Sequence, residues 1–269
     1  CYDIKGHGIF LEDGVERRNV IEGNLVMRLR SPADALLVAR HEQGGSGGGC
    51  GGAASGFWLT NPDNTVRRNA VADAQGHGFW LSYPTQPVSL NARVPMRPIN
   101  LPHAPFEFNS ARANGFHGVN LECALKDGEG RTAIAQYAPT ATGEAYNHNN
   151  GVRFTLKGLT LAKNVMGGYL NRASLPDYRQ FALAGNRQRS VSGAVDAGTF
   201  KHALVVARSL NDRQPYPADA EPSLAIASYH SQMDIAENTF MGFAHRGSVI
   251  RTSGWEKPSG TFGTDDYYL

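Results

Sequence analysis

This chain of 269 residues has few cysteines, no charge excess and no long apolar run, and each absence removes a class of protein. Cys1, Cys50 and Cys123 are its three cysteines, and their spacing matches no metal-ligand pattern. One disulfide with a leftover thiol and three free thiols both stay open. Lys and Arg number 26 against 24 Asp and Glu, with no basic run or acidic tail, so nucleic acid is not an expected partner. No apolar stretch approaches the roughly 18 residues of a membrane span. No secretory h-region occupies residues 1–30. The chain has no initiator Met and stops abruptly after Asp265-Asp266-Tyr267-Tyr268-Leu269, so it is read as a fragment or processed form. No Gly-x-Ser-x-Gly elbow lies between a strand and a helix, since Gly45-Ser46-Gly47 is a fragment of a glycine-rich loop, and no Gly-Lys-Ser/Thr phosphate loop occurs, so nucleophile-triad and nucleotide chemistry lack support. Sequons for Asn glycosylation are missing as well.

What the chain does have is glycine and repetition. Gly contributes 31 residues and Pro 14, where Gly usually makes up about 7% of a protein. Gly6-His7-Gly8-Ile9-Phe10-Leu11 returns as Gly76-His77-Gly78-Phe79-Trp80-Leu81, and more loosely as Phe116-His117-Gly118-Val119-Asn120-Leu121. Each copy is a Gly-flanked turn followed by a short apolar run, too short to bury a face alone. Stacked copies bury one together, so the pattern predicts a solenoid. Strand, turn, Asn, strand is the rhythm of residues 8–26, of 56–81 taken as a second coil, and of 106–121 taken as a third. Further coils are expected at 152–170, 202–206 and 233–240. Asn19, Asn24, Asn69, Asn164 and Asn238 are read as structural, because Asn tolerates left-handed turns and forms amide ladders between stacked coils.

The fold expected is all-β: one single-stranded right-handed parallel β-helix over residues 1–269. Loop insertions are expected at about 30–55, 84–105, 139–151 and 211–222. Residues 31–42 carry a short helix signal, with Ser31 at the N-cap and Pro32 at the first position.

A family likeness rests on Gly6-His7-Gly8-Ile9-Phe10-Leu11-Glu12-Asp13-Gly14-Val15-Glu16, on Phe57-Trp58-Leu59-Thr60-Asn61-Pro62-Asp63-Asn64 and on Gly78-Phe79-Trp80. These resemble the β-helix region of the cell-migration-inducing hyaluronidase family, with its transmembrane and fibrocystin-like relatives. Phe154 to Asn164, Gly168-Tyr169-Leu170 and Thr261 to Tyr267 are similar too. The resemblance implies an extracellular or cell-surface β-helix that binds or breaks a hyaluronan-like glycosaminoglycan. It carries no catalytic residue over, because the family's G8 domain has no counterpart in this sequence.

Candidate site residues come from the repeat itself. If the three copies occupy matching positions, His7, His77 and His117 line one edge, where imidazoles bond sugar hydroxyls or transfer protons. His7 and His77 are thus candidate catalytic groups and His117 a substrate contact. The alternative is that each His packs at a coil corner, its neighbouring glycines serving a sharp backbone turn. In Glu12-Asp13-Gly14-Val15-Glu16-Arg17-Arg18, the carboxylates Glu12 and Asp13 suit glycoside hydrolysis, or hold Ca²⁺ that neutralises a uronate. Arg17, Arg18, Arg67 and Arg68 are nearby basic groups, Arg17 and Arg68 among them candidate substrate contacts, and Arg-Arg-Asn occurs in both coils. A solvated acidic turn with a basic ladder is the plain alternative. Trp58, Trp80 and Tyr83 offer stacking platforms for sugar rings, unless the tryptophans are core. Strand alternation sends Phe79 and Trp80 to opposite faces. The function expected is binding, with or without cleavage, of an acidic polysaccharide. A non-catalytic adhesion solenoid and a lyase or hydrolase of another uronic-acid polymer are the alternatives.

Overall fold

A computed structural model describes residues 1–33, 36, 39–42, 50–126, 131–207, 224–229, 232–243, 249–256 and 262–267. Short strands stack in register into three long parallel sheets, and together these form a parallel β-helix. The first sheet holds Tyr2–Lys5, Leu25–Arg30, Ala70–Ala74, Ser110–Arg112, Thr160–Ala162, Ala182–Ala184, Leu204–Val206 and Thr239–Met241. The second begins with Ile9–Phe10, Phe57–Leu59, Phe79–Leu81 and His117–Leu121 and continues through Gly167–Ser174, Arg189–Asp196, Leu224–Tyr229 and Ile250–Glu256. Its last strand, Phe262–Tyr267, runs antiparallel to its neighbour. The third holds Val20–Glu22, Thr65–Arg67, Phe106–Glu107, Phe154–Lys157, Pro176–Arg179, Gly198–Lys201 and Met233–Ala236.

Like residues stack because neighbouring coils share one register. Phe57 pairs with Phe79 and Trp58 with Trp80, so the two Phe-Trp-Leu runs are successive rungs of one sheet. Residues 56–81 therefore close one coil and open the next, where the sequence pattern suggested a single coil. Inside the coils lies one continuous core that includes Val26, Val71, Phe57, Phe79, Phe106, Leu156, Leu161, Tyr169, Tyr178, Leu183 and Phe200. Phe57 and Phe79 stack there at 4.6 Å. Burying a side chain of this size contributes about 1.5–3 kcal/mol, so the stack is held mainly by its apolar interior.

The turn from the third sheet to the first has constant length. Gly23-Asn24, Arg68-Asn69, Phe108-Asn109, Gly158-Leu159, Gln180-Phe181, His202-Ala203 and Glu237-Asn238 each join the two sheets with two residues. The first residue of every pair has positive φ, between 54° at Phe108 and 71° at Gly23. The left-handed residue is thus the one before the Asn, which corrects the expectation that the Asn itself takes that conformation. Asn earns its place by hydrogen bonding. Asn69 Oδ1 accepts from the backbone and side-chain amides of Asn24, and Asn109 Oδ1 does the same for Asn69. A second amide column joins Asn114 to Asn164 and Asn164 to Asn186. These bonds satisfy buried turn donors that otherwise cost about 1–3 kcal/mol each.

Longer excursions leave at the other two corners, across residues 31–56, 82–105 and 122–153. The last contains a hairpin of Cys123–Leu125 and Thr132–Ile134. The helix signal at 31–42 yields a 3-10 turn at Arg40–Glu42, and the Ser31 hydroxyl accepts from the Ala54 N–H instead of capping. Residues 211–222, a further expected insertion, lie outside the described residues. No helix among the described residues is long and apolar enough to cross a membrane.

Candidate functional site

The repeat places its histidines at or just before the start of three of the first four second-sheet strands, with Ser55 holding the place on the second. The file runs His7, Ser55, His77, His117, Gly167, Arg189. The Ser55 N–H donates to His7 Nδ1, the His77 N–H to Ser55 Oγ, and the His117 N–H to His77 Nδ1. His117 pairs with Gly167, and Gly167 with Arg189. The three look-alike segments are therefore spatial neighbours, as the repeat implies. His77 and His117 stack at 5.6 Å.

The flanking glycines have a steric cause. A Cβ on Gly56 would lie 2.5 Å from the Gly78 carbonyl oxygen, and one on Gly78 would lie 2.5 Å from that of Gly118. Neither glycine has positive φ. Backbone packs directly on backbone after these corner residues, so there the missing side chain is what matters, while the positive φ of a sharp turn occurs before His7, at Gly6 with 107°.

Access is where the structure departs most from the expected open track. Excursions cover the outer face of the second sheet. Trp58 and Trp80 are both 0% exposed and form a second apolar cluster with Val88, Cys123, Leu125 and Cys50. The Cys50–Cys123 disulfide fastens residues 50–55 to the hairpin above them, and Cys1 is an exposed free thiol. Trp80 donates its indole N–H to the Cys123 carbonyl at 2.8 Å. Phe79 and Trp80 do face opposite ways, but the outer one is roofed over. The sugar-platform reading of Trp58 and Trp80 is thereby corrected to packing. Tyr83 is buried too, bonded through its hydroxyl to His103 Nε2 at 3.1 Å and edge-on to Tyr137.

Burial also removes charge from the histidines. His77 is 2% exposed and His117 8%. Burial, helped by the neighbouring His41, lowers the His7 pKa to about 3. Burial lowers His41 to about 4. His117 falls to about 3 through burial and the nearby Arg189. His77 is pushed well down by burial, then by His117 and His7. Neutral imidazoles with pKa values this low are poor matches for proton transfer near pH 7. At the open end, His7 lies between Phe10 and Trp58 and bonds His41 at 2.7 Å.

The acidic turn stands apart from this file. Asp13 is buried and accepts from Asn91, while Glu12 is exposed. Glu16 curls back so that its carboxylate accepts the N–H groups of Glu12, Asp13 and Gly14. Asp13 thus ties its turn to the 82–105 excursion, its backbone carbonyl also accepting the Val88 N–H. Among the described residues no three His, Cys, Asp or Glu side chains gather as a metal site would need.

The Arg-Arg-Asn segments are not equivalent in space. Asn19 bonds Asn64 and Asn69 bonds Asn24, so Arg17-Arg18 precede the third sheet and Arg67-Arg68 end it. Arg17 pairs with Asp63 at 2.8 Å, and Arg18 lies 3.8 Å from the same carboxylate. Arg67 and Arg68 both clasp Glu22, at 2.9 and 2.7 Å, and hold its carboxyl below the usual range. The structure therefore unites His7, His77 and His117 with Trp58 and Trp80, and separates them from Arg17, Arg68 and Tyr83.

One cluster escapes any reading along the sequence. Glu122, 6% exposed, accepts from the Tyr229 hydroxyl and from Arg172 at 3.3 Å. The Arg172 guanidinium lies over the Tyr229 ring at 5.4 Å. Glu122 and Tyr229 are 107 residues apart, and only the shared outer face of the second sheet brings them together. The Tyr229 pKa rises to about 12 through burial and the Glu122 carboxylate. No local motif marks such a contact.

Comparison with known proteins agrees with the likeness drawn from the repeat. Residues 1–119 match the family model described as CEMIP beta-helix. Over 71 residues, 26% of this chain, it is 37% identical to Fibrocystin-L of Homo sapiens and 35% to that of Mus musculus. Protein rliB of Dictyostelium discoideum is 28% identical over 132 residues, 45% of this chain. The matched stretches span 1% of each Fibrocystin-L and 11% of rliB.

Proposed function

We propose that this chain is an extracellular β-helix that holds an acidic, hyaluronan-like polysaccharide without cleaving it through its histidine file. The observation that carries the reading is the state of that file. His77 and His117 are buried, and His7, His77 and His117 are all driven toward the neutral form, so the file offers neither an accessible acid nor a cation. A polymer meets the protein on its exposed side chains, and cations among these suit carboxylate recognition. The resemblance to the hyaluronidase family, with which the CEMIP beta-helix match over residues 1–119 agrees, supports polysaccharide as the ligand class. The disulfide supports an oxidising compartment, since such bonds persist chiefly outside the cytosol.

Size-defined hyaluronan and other uronate oligomers test this directly. Binding without chain shortening is the expected result. New reducing ends or an unsaturated product would replace the reading with hydrolysis or lysis. No binding to any uronate oligomer would leave the adhesion solenoid, a reading favoured by Leu204 and Met241, 43% and 54% exposed on the outer first sheet.

A further inference from the structure

We propose that the acidic polymer docks along the corner between the first and second sheets, held by Arg112, Lys163, Arg187 and Arg189. This rests on the polysaccharide reading above and adds the place of contact. Strands Ser110–Arg112, Thr160–Ala162 and Ala182–Ala184 are consecutive in the first sheet, with Arg112, Ala162 and Ala184 in register. The strands that follow them, from His117, Gly167 and Arg189, are consecutive in the second. Residues 113–116, 163–166 and 185–188 are thus stacked turns on one corner. Cations from three segments far apart along the chain become neighbours on three successive rungs.

These three stacked turns carry no carboxylate of their own. Segments 108–121, 158–176 and 178–195 contain no Asp or Glu. Arg112, Lys163 and Arg187 are exposed and Arg189 is half-buried. Elsewhere several arginines meet carboxylates, as Arg17 does with Asp63, Arg30 with Asp73, Arg68 with Glu22 and Arg179 with Asp177. Arg112, Arg187 and Arg189 form no ion pair among the described residues. A like-charged cluster opposes the compact state, so its presence on a protein of near-zero net charge points to an anionic partner. At the base of the corner, the buried Nδ1 of His117 has no hydrogen-bond partner among the described residues.

Chain chemistry and spacing favour a sugar polymer. Rungs are about 4.8 Å apart, so cations two rungs apart lie about 10 Å from each other along the axis. That separation suits an extended chain with one carboxylate on every second sugar ring. Between the cations, Val165 is 43% exposed and Phe116 and Met166 are part-exposed, giving apolar surface for ring faces. Phe116 is braced edge-on against His77 at 5.2 Å.

The test compares the full chain with its Arg112→Ser/Arg187→Ser/Arg189→Ser variant by calorimetry. Probes are hyaluronan oligosaccharides, heparin-derived oligosaccharides, polyglutamate and single-stranded DNA. We expect the wild type to bind hyaluronan oligosaccharide and the variant to lose about 30-fold or more, with a shallower salt dependence. Arg28→Ser/Arg30→Ser, which removes cations paired with Asp3 and Asp73, should leave binding unchanged. Wild-type binding with equal binding by the folded triple variant overturns the corner and leaves the polysaccharide reading standing. Wild-type failure on every oligosaccharide overturns both, as does a preference for DNA or polyglutamate. Should the triple variant not fold, single Arg112→Ser and Arg187→Ser variants decide, since both side chains are exposed; unchanged affinity in both overturns the corner.

Discussion

His7 Nε2 lies 2.7 Å from His41 Nδ1, and one proton joins the two rings. Its position follows from the backbone. His7 Nδ1 accepts the Ser55 N–H, so His7 carries its proton on Nε2 and donates it to His41. His41 must then be neutral to accept this bond, and His7 neutral to accept the Ser55 N–H.

That requirement predicts acid sensitivity. His7 and His117 titrate at about 3 and His41 and His103 at about 4, all lowered chiefly by burial, against about 6.5 in the unfolded chain. The unfolded state therefore binds more protons between these limits. Stability is fully present above pH 6.5 and is lost as pH falls toward 4, by about 1.4 kcal/mol per pH unit for each histidine. Urea unfolding at steps from pH 7.5 to 4.5 reads the slope, and His103→Gln should flatten it by about one proton. A flat profile in the wild type would show that water reaches these rings.

Asn69→Ala should cost about 2–4 kcal/mol in urea unfolding. The change strands the Asn24 N–H, which donates to Asn69 Oδ1, and the Ile21 carbonyl, which accepts from Asn69 Nδ2. Asn150→Ala, which alters an exposed loop, should stay within about 0.5 kcal/mol.

Gly78→Ala should destabilise by about 3 kcal/mol or more, because the new methyl meets the Gly118 carbonyl oxygen and Ala111 Cβ, both at 2.5 Å. Gly23→Ala meets nothing within 4 Å and should cost about 1 kcal/mol through its φ of 71° alone. Equal losses in the two variants would refute the close-approach account.

Reducing the Cys50–Cys123 bridge should loosen the roof over Trp58 and Trp80. The bridge closes a sequence separation of 73 residues, and releasing it returns about 4 kcal/mol of unfolded-chain entropy in the loop-closure account. Acrylamide should quench tryptophan emission more strongly after dithiothreitol, and a Cys123→Ser variant should behave as the reduced protein. Unchanged quenching would mean that Val88, Leu125 and the Trp80 indole bond hold the cover unaided.

The repeat in the sequence carried the fold because stacked coils impose like residues at like positions. Phe-Trp-Leu over Phe-Trp-Leu and Asn24 over Asn69 are both visible in one dimension. Solvent access was not visible. Strand alternation tells Phe79 from Trp80 but cannot say that the hairpin after Leu121 folds back over Trp80. Arg-Arg-Asn looked like a repeat, yet its copies sit at opposite ends of third-sheet strands, because short motifs recur by chance where hydrogen-bonded columns do not. The basic corner was hidden for the same reason as the Glu122 and Tyr229 contact. Its members are ordinary surface residues until coiling aligns them.

The invariant two-residue step between the third and first sheets acts as the metronome of the winding. One inserted residue there would slide every later rung past its partner and turn the buried row of that strand outward. Natural length variation and grafted peptides should consequently be admitted at the other two corners and refused at this one. The molecule has, in effect, one edge reserved for keeping time and two on which new surfaces can be built.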